Sequence, residues 1–406
     1  MVISSINYKP DDPYRLFPLR VNWANSYVES YEFKTDIITT FDGKEQRRAF
    51  RKYPRRELSF SAVLHRSRKL ELDYLMNSWQ TKLFALPNFT HYVTSTSVML
   101  AEGNTISITG PYYEDISPGD TVVLVNGDVI ETRYVVGVSS SALSFGDESL
   151  TEWPVGTRIH PVQLGRLQDE PKLSHITSET ATFPAQFKIE PGTSLYTPVE
   201  SGFWLDFREA WMKKPDWKNG LGVDHHWPRN TVDYEIGRID TYDPYKFPSR
   251  VTRLEYISTT RADVKLAVDF FCRHYGQARE FLLPSWENDV PYAFISAGSR
   301  SILIPGLNFA TVYGESTVFR RVVLRMKDGS DIHRKVDFVE GLEETDTSVL
   351  WVEEPLPSIP LTPETLIGIS WVPVSRFATD RLEIEWLTDS VAQYTFAVRS
   401  LENFDI

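Results

Sequence analysis

The sequence predicts a mainly β protein built from two copies of one unit, each with one helix and each carrying an inserted small β-barrel or sandwich. Three observations predict it. The 406 residues are 13% aromatic, contain 25 Pro and are rich in Val, Ile and Thr, which favours strands and turns. Two collinear sets of segments recur about half a chain apart. Between the members of each set lies a stretch dense in short β runs and turns.

The first copy opens at Pro54-Arg55-Arg56, where Leu58, Phe60, Ala62 and Leu64 alternate as in a half-buried antiparallel strand. An amphipathic stretch follows, with Leu72, Leu75 and Trp79 on one face. It closes on Phe84-Ala85-Leu86-Pro87-Asn88-Phe89. The second copy opens at Pro248-Ser249-Arg250, alternates through Leu254 and Tyr256, and sets Val264, Val268, Phe271 and Tyr275 on a helix face. It closes on Phe281-Leu282-Leu283-Pro284-Ser285-Trp286. The ends match as well. Residues 178–187, with Phe183 and Phe187, resemble residues 389–398, with Tyr394 and Phe396, and both read as a closing strand with inward aromatics.

The first insertion carries strand-like runs around Ile106, Val122 to Val125, Tyr134 to Val138 and Leu143. Asn126-Gly127 between two of them is a type I′ hairpin signal. The second insertion repeats the grammar around Ile302, Val322, Asp328-Gly329 and Trp351, and its end at residues 361–367 corresponds to residues 153–159. The expected units are residues 1–91 with 164–200, 92–163, 201–290 with 374–406, and 291–373. The joint between the halves falls near residues 190–230, which include Pro191-Gly192 and a polar run from Lys213 to Gly220.

A net charge of −12 disfavours nonspecific nucleic-acid binding. The single Cys272 excludes an intramolecular disulfide and a cysteine-based metal site, and its apolar setting reads as a buried, inert thiol. The stretch Met1 to Ser5 lacks a signal-peptide pattern, and no run is long and apolar enough for a spanning helix, so no membrane insertion is expected.

With two such units in view, the chain resembles the distal-tail and baseplate-hub proteins of long-tailed bacteriophages. The residues that carry the resemblance are Asp36 to Arg48 with their Asp42-Gly43-Lys44-Glu45-Gln46-Arg47 turn, the Pro54-Arg55-Arg56 strand and the Phe84 to Phe89 element. It covers most of both repeat cores and not clearly the insertions. It implies tail-tube-like β-sandwich domains in rings of six around a lumen. Two such domains in one chain make a trimer present six, with a hexamer of two stacked rings as the rival. The implied location is the virion, at the tail tip or baseplate. The implied partners are further copies of the chain, the tail tube protein and other baseplate proteins, with DNA only in passage through the lumen.

Catalytic, metal and cofactor sites are not expected. Adjacent residues of Asp224-His225-His226 point to opposite faces of an extended chain and rarely share one ion, so the segment reads as a surface loop at the subunit junction. Asn219-Gly220-Leu221-Gly222 reads as a turn, and Glu343-Glu344 and Glu353-Glu354 as solvated acidic turns. The basic cluster Arg47, Arg48, Arg51, Lys52, Arg55 and Arg56 is a candidate subunit interface, since Arg forms bidentate pairs with carboxylates; a solvated face and phosphate binding are the alternatives. Tyr112, Tyr113 and Trp153 are candidate glycan contacts of a host-surface carbohydrate-binding protein, or else core or interface anchors.

Overall fold

The computed structural model describes residues 14–17, 21–40, 44–65, 72–73, 75–77, 79–110, 112–127, 129–149, 151–170, 172–190, 203–205, 207–226, 230–242, 249–359 and 361–401. Strands make up 50% and helices 10%, so the protein is mainly β as expected.

The chain starts with β1 (Tyr14–Leu16), β2 (Tyr27–Glu32), a hairpin of β3 (Thr35–Thr39) and β4 (Glu45–Ala49), and the long β5 (Arg55–His65). Alternate residues of β5 are buried, from Arg56 through Leu58, Phe60 and Ala62 to Leu64. Helical residues 72, 73, 75 and 76 follow; Leu72 and Leu75 are buried and Trp79 packs on the same core. Next, β6 (Leu83–Pro87) runs parallel to β1.

The chain then leaves this layer for β7 (Val93–Ser95), β8 (Thr105–Thr109), β9 (Thr121–Asn126), β10 (Val129–Val138), β11 (Ala142–Phe145) and β12 (Arg158–Leu167). The pairing runs β7, β8, β11, β10, β9, β12 and back to β7, a closed six-strand barrel. Closure leaves it no edge strand. The tight hairpin expected at Asn126-Gly127 joins β9 to β10. Asn126 itself pairs with Val129, and Gly127 supplies the positive φ of +54°. The far half of β12 returns to the first layer, where β13 (Ser174–His175) and β14 (Thr180–Ile189) complete it.

The second half of the chain repeats this order. It holds β15 (Phe203–Leu205), β16 (Arg208–Ala210), β17 (Gly222–His226), a hairpin of β18 (Asn230–Asp233) and β19 (Ile239–Tyr242), and β20 (Ser249–Ser258). Helix α1 (Arg261–Arg273) starts where the Thr260 hydroxyl accepts from Asp263 N, and it buries Val264, Val268 and Phe271. After β21 (Phe281–Leu282) come β22 (Phe294–Ile295), β23 (Ser301–Pro305), the short α2 (Asn308–Tyr313), β24 (Arg321–Met326), β25 (Asp331–Leu342), β26 (Thr347–Val352) and β27 (Leu366–Trp371). Their order, β22-β23-β26-β25-β24-β27, matches the barrel position by position. Here the first and last strands do not pair, so this sheet stays open. The chain ends with β28 (Val374–Phe377), β29 (Arg381–Trp386) and β30 (Ala392–Ser400).

The correspondence extends to register. β5 pairs with β14 as β20 pairs with β30, so Leu58 opposite Phe187 corresponds to Thr252 opposite Val398. β2 lies on β5 as β17 lies on β20. β6 takes the parallel β1 as β21 takes the parallel β16, and Phe17 N donates to Ala85 O as Trp211 N donates to Leu282 O. Even the turns agree, with Thr157 N donating to Pro154 O and Thr365 N to Thr362 O. β12 passes from β9 to β6 between Pro161 and Val162, and β28 begins at Val374. The Asp42-Gly43 turn and the boundary at 200 lie outside the described residues.

Candidate assembly interface

The two halves meet edge to edge. Along β2, residues 27–32 pair antiparallel with residues 386–381 of β29. One antiparallel sheet therefore runs β13-β14-β5-β2-β29-β30-β20-β17 across both units. Alternation gives it two unlike faces. The inner face, with Phe60, Phe187, Tyr256, Phe396 and Trp386, belongs to one apolar core shared by both halves. The outer face carries Ser59, Gln186, Arg253, Glu255, Glu383 and Thr395. A groove of about 670 Å³ lies on this face of the second half, lined by Arg253, Glu255, Arg381, Glu383 and Thr395, with Val28 contributed by the first half.

The β3–β4 hairpin of the first half clasps the second. Arg376, 4% exposed, donates from Nε and Nη2 to both carboxylate oxygens of Glu45, 8% exposed, at 2.7 and 2.8 Å. Burial alone would raise the pKa of Glu45; the hydrogen bonds and charge of Arg376 outweigh it and hold the carboxyl below its ordinary value. Arg47 reaches Glu280 at 3.2 Å, and Arg208 holds the other oxygen of Glu280 at 2.8 Å. The Asp380 carboxylate accepts from Thr35 N, Thr35 Oγ1 and Gln277 N. Phe33 packs edge-on against Tyr275 and tilted against Phe271. Gly276 has φ of +63°, and a Cβ there would stand 2.6 Å from Asp380 Oδ1, so this crossing admits only glycine.

The chain matches no known family model and no curated protein. Its candidate site therefore rests on geometry and chemistry.

The basic cluster divides. Arg47 makes an inter-unit contact, but inside one chain. Arg51 lies 3.5 Å from Glu32 and donates to the carbonyls of Glu32 and Phe33. Arg48 is exposed beside Phe50, and Arg55 is exposed. Arg56 is buried over the Tyr31 ring, so it does not reach a neighbouring subunit. That correction was legible: Arg56 shares its parity in β5 with Leu58 and Phe60. The sequence pattern missed Glu45, Arg376 and Asp380, because nothing local links residues more than three hundred positions apart.

The glycan candidates are also corrected. Tyr112 is 0% exposed, stacks on His91 with centroids 4.3 Å apart and donates to Arg261 O at 2.8 Å. Trp153 is 1% exposed and donates to Glu131 and Ser149 at 2.9 and 3.0 Å. Tyr113 packs half-buried against the barrel core. Tyr112 and Trp153 are anchors that present no open ring for a sugar to stack on.

Asp224-His225-His226 is part of β17, a strand where a loop was expected, since it pairs with residues 249–251 of β20. Asn219-Gly220 is a turn, with Gly220 at φ +73°. Glu343, Glu344, Glu353 and Glu354 are exposed. Among the described residues no group of three or more His, Cys, Asp or Glu side chains is placed to hold a metal ion. Cys272 is buried, and that burial pushes its thiol pKa up. No helix among the described residues is long and apolar enough to cross a membrane.

Proposed function

We propose that this chain is a structural virion protein of a phage tail tip. In this reading two tandem tail-tube-like units form part of a ring that extends the tube lumen and joins it to the baseplate and fibre assembly. The observation that carries it is the side-by-side joint of two topologically equivalent units through one antiparallel sheet. An edge-to-edge joint between like units, repeated by successive chains, generates a ring when the rotation closes. A trimer then presents six units, and a hexamer of two stacked rings is the other state of this kind.

The polar outer face of the sheet suits a wet channel wall. It mixes acidic and basic groups, and the net charge of −12 disfavours retention of DNA in transit. In this reading the insertions, a closed barrel and an open sheet, make the contacts with neighbouring tail proteins. The mechanism is geometric and calls for no catalytic group. The alternative, a host-surface carbohydrate-binding protein, loses the aromatic platform that motivated it, since Tyr112 and Trp153 are buried.

Electron-microscope class averages of the purified protein test the proposal. Rings of repeated lobes around a central hole are the expected result. Compact two-lobed particles without a hole at every concentration would contradict it.

A further inference from the structure

The chain uses one of its edge pairings internally and, among the described residues, leaves the matching pair of edges open at the two ends of the sheet. The strand that corresponds to β2 is β17, because Gly222 faces Arg253 as Val28 faces Ser59. The segment that corresponds to β29 is 172–175, because Ser174 faces Thr182 as Glu385 faces Gln393. Within the chain β2 and β29 pair with each other. Among the described residues, β17 pairs only with β20, and β13 only with β14. An open antiparallel edge with unpaired N–H and C=O groups is a template for another strand.

From this geometry we infer that β17 of one copy pairs with residues 172–175 of a second copy, in the register that β2 and β29 use inside the chain. The inference rests on the ring reading and names its contact.

Transferring the register makes the pairing specific. Val28 opposite Glu385 becomes Gly222 opposite Ser174, and Ser30 opposite Glu383 becomes Asp224 opposite Lys172. Asp224 and Lys172 are both exposed and of opposite charge, which favours a cross-strand pair. In the same register the exposed Ile176 lies just beyond the pairing, past His175.

A second feature agrees. The clasp hairpin β3–β4 corresponds to β18–β19, since the Thr39–Glu45 pair corresponds to Asp233–Ile239. The first hairpin is seated on the other unit. The second carries the exposed apolar side chains Val232, Tyr234, Ile236 and Ile239. Its target on a second copy surrounds Leu83 and Trp79, which correspond to Glu280 and Gly276. Ile239 stands where Glu45 stands in the first clasp, and Leu83 where Glu280 stands. In the first clasp Glu45 and Glu280 each pair with an arginine, Arg376 and Arg47, whose counterparts are Arg166 and Thr241, so neither charged pair recurs and apolar side chains stand in place of the two acidic ones.

Cysteine pairing tests this. The native Cys272 is buried and does not interfere. Ser30→Cys with Glu383→Cys is the internal control and is expected to give a disulfide within one chain. Asp224→Cys with Lys172→Cys, after mild oxidation, is expected to link chains at least about tenfold more than either single cysteine, because pairing raises the effective concentration. Asp224→Cys with Ile176→Cys, out of register, is expected to stay at the single-cysteine level. Mass by light scattering is read on the same samples. Interchain links in closed particles support both readings. Links in open chains of growing mass keep this contact and overturn the ring. Rings without the in-register link overturn this contact and keep the ring. Single chains without links at the highest soluble concentration overturn both.

Discussion

Replacing Glu45 by Gln tests the clasp between the two halves. At an effective dielectric of ~20, charges 2.7 to 2.8 Å apart attract by about 6 kcal/mol. Desolvating two ions costs several kcal/mol each, so the intact pair adds little net stability. Removing one member is different, because it leaves the other charge buried without compensation, at a cost of about 3–5 kcal/mol. In Glu45→Gln, Arg376 keeps its bonds to Gln277 Oε1 and Phe377 O and loses its counter-ion. The first transition in urea, followed by tryptophan fluorescence, is expected to lose about 3–5 kcal/mol. Amide exchange is expected to rise along residues 35–49. The double variant Glu45→Gln with Arg376→Met is expected to recover most of the loss, since no buried charge remains. A loss below about 1 kcal/mol, the range of an exposed pair, would refute the reasoning.

Three further perturbations follow from the same geometry. His160 and His274 are buried and held neutral, with pKa values pushed down to about 4, and burial is the leading cause for each. Their folded values lie below the unfolded one, so stability is full above about pH 6.5 and falls as pH drops from there towards 4, by about 3 kcal/mol per group; a urea-midpoint series across this range measures it, and His274→Phe is expected to shrink the slope. Gly276→Ala forces a positive φ on a Cβ that meets Asp380, and a loss of about 1–3 kcal/mol is expected by thermal denaturation. Trp153→Ala removes the buried side chain that bridges Glu131 and Ser149 in the barrel, and a loss of about 3–5 kcal/mol is expected with no change in glycan-array binding.

Much of the unit was legible because its signals are local and occur twice. The alternation of Leu58, Phe60, Ala62 and Leu64, the helix face of Val264, Val268 and Phe271, and the two Phe-x-Leu-Pro motifs each report burial through spacing alone. The paired segments 178–187 and 389–398 fixed the strand correspondence that the registers of β14 and β30 display. The order of strands in the insertions was not legible, since it depends on which distant runs pair. Nor was the joint of β2 with β29, which brings residues about 350 positions apart into register. Tyr112 and Trp153 misled because an aromatic in a polar turn looks the same whether its ring faces solvent or a barrel core. Asp224-His225-His226 misled because a polar, turn-flanked segment is also what an edge strand looks like.

The mass of the purified protein in solution, measured by light scattering over a range of concentrations, tests the central claim most directly. A plateau at three chains is the expected result, because three copies of a two-unit chain supply the six units of one ring. A mass that stays at one chain throughout, or a plateau at two chains related by a two-fold axis, would contradict an assembly built by repeating the internal joint.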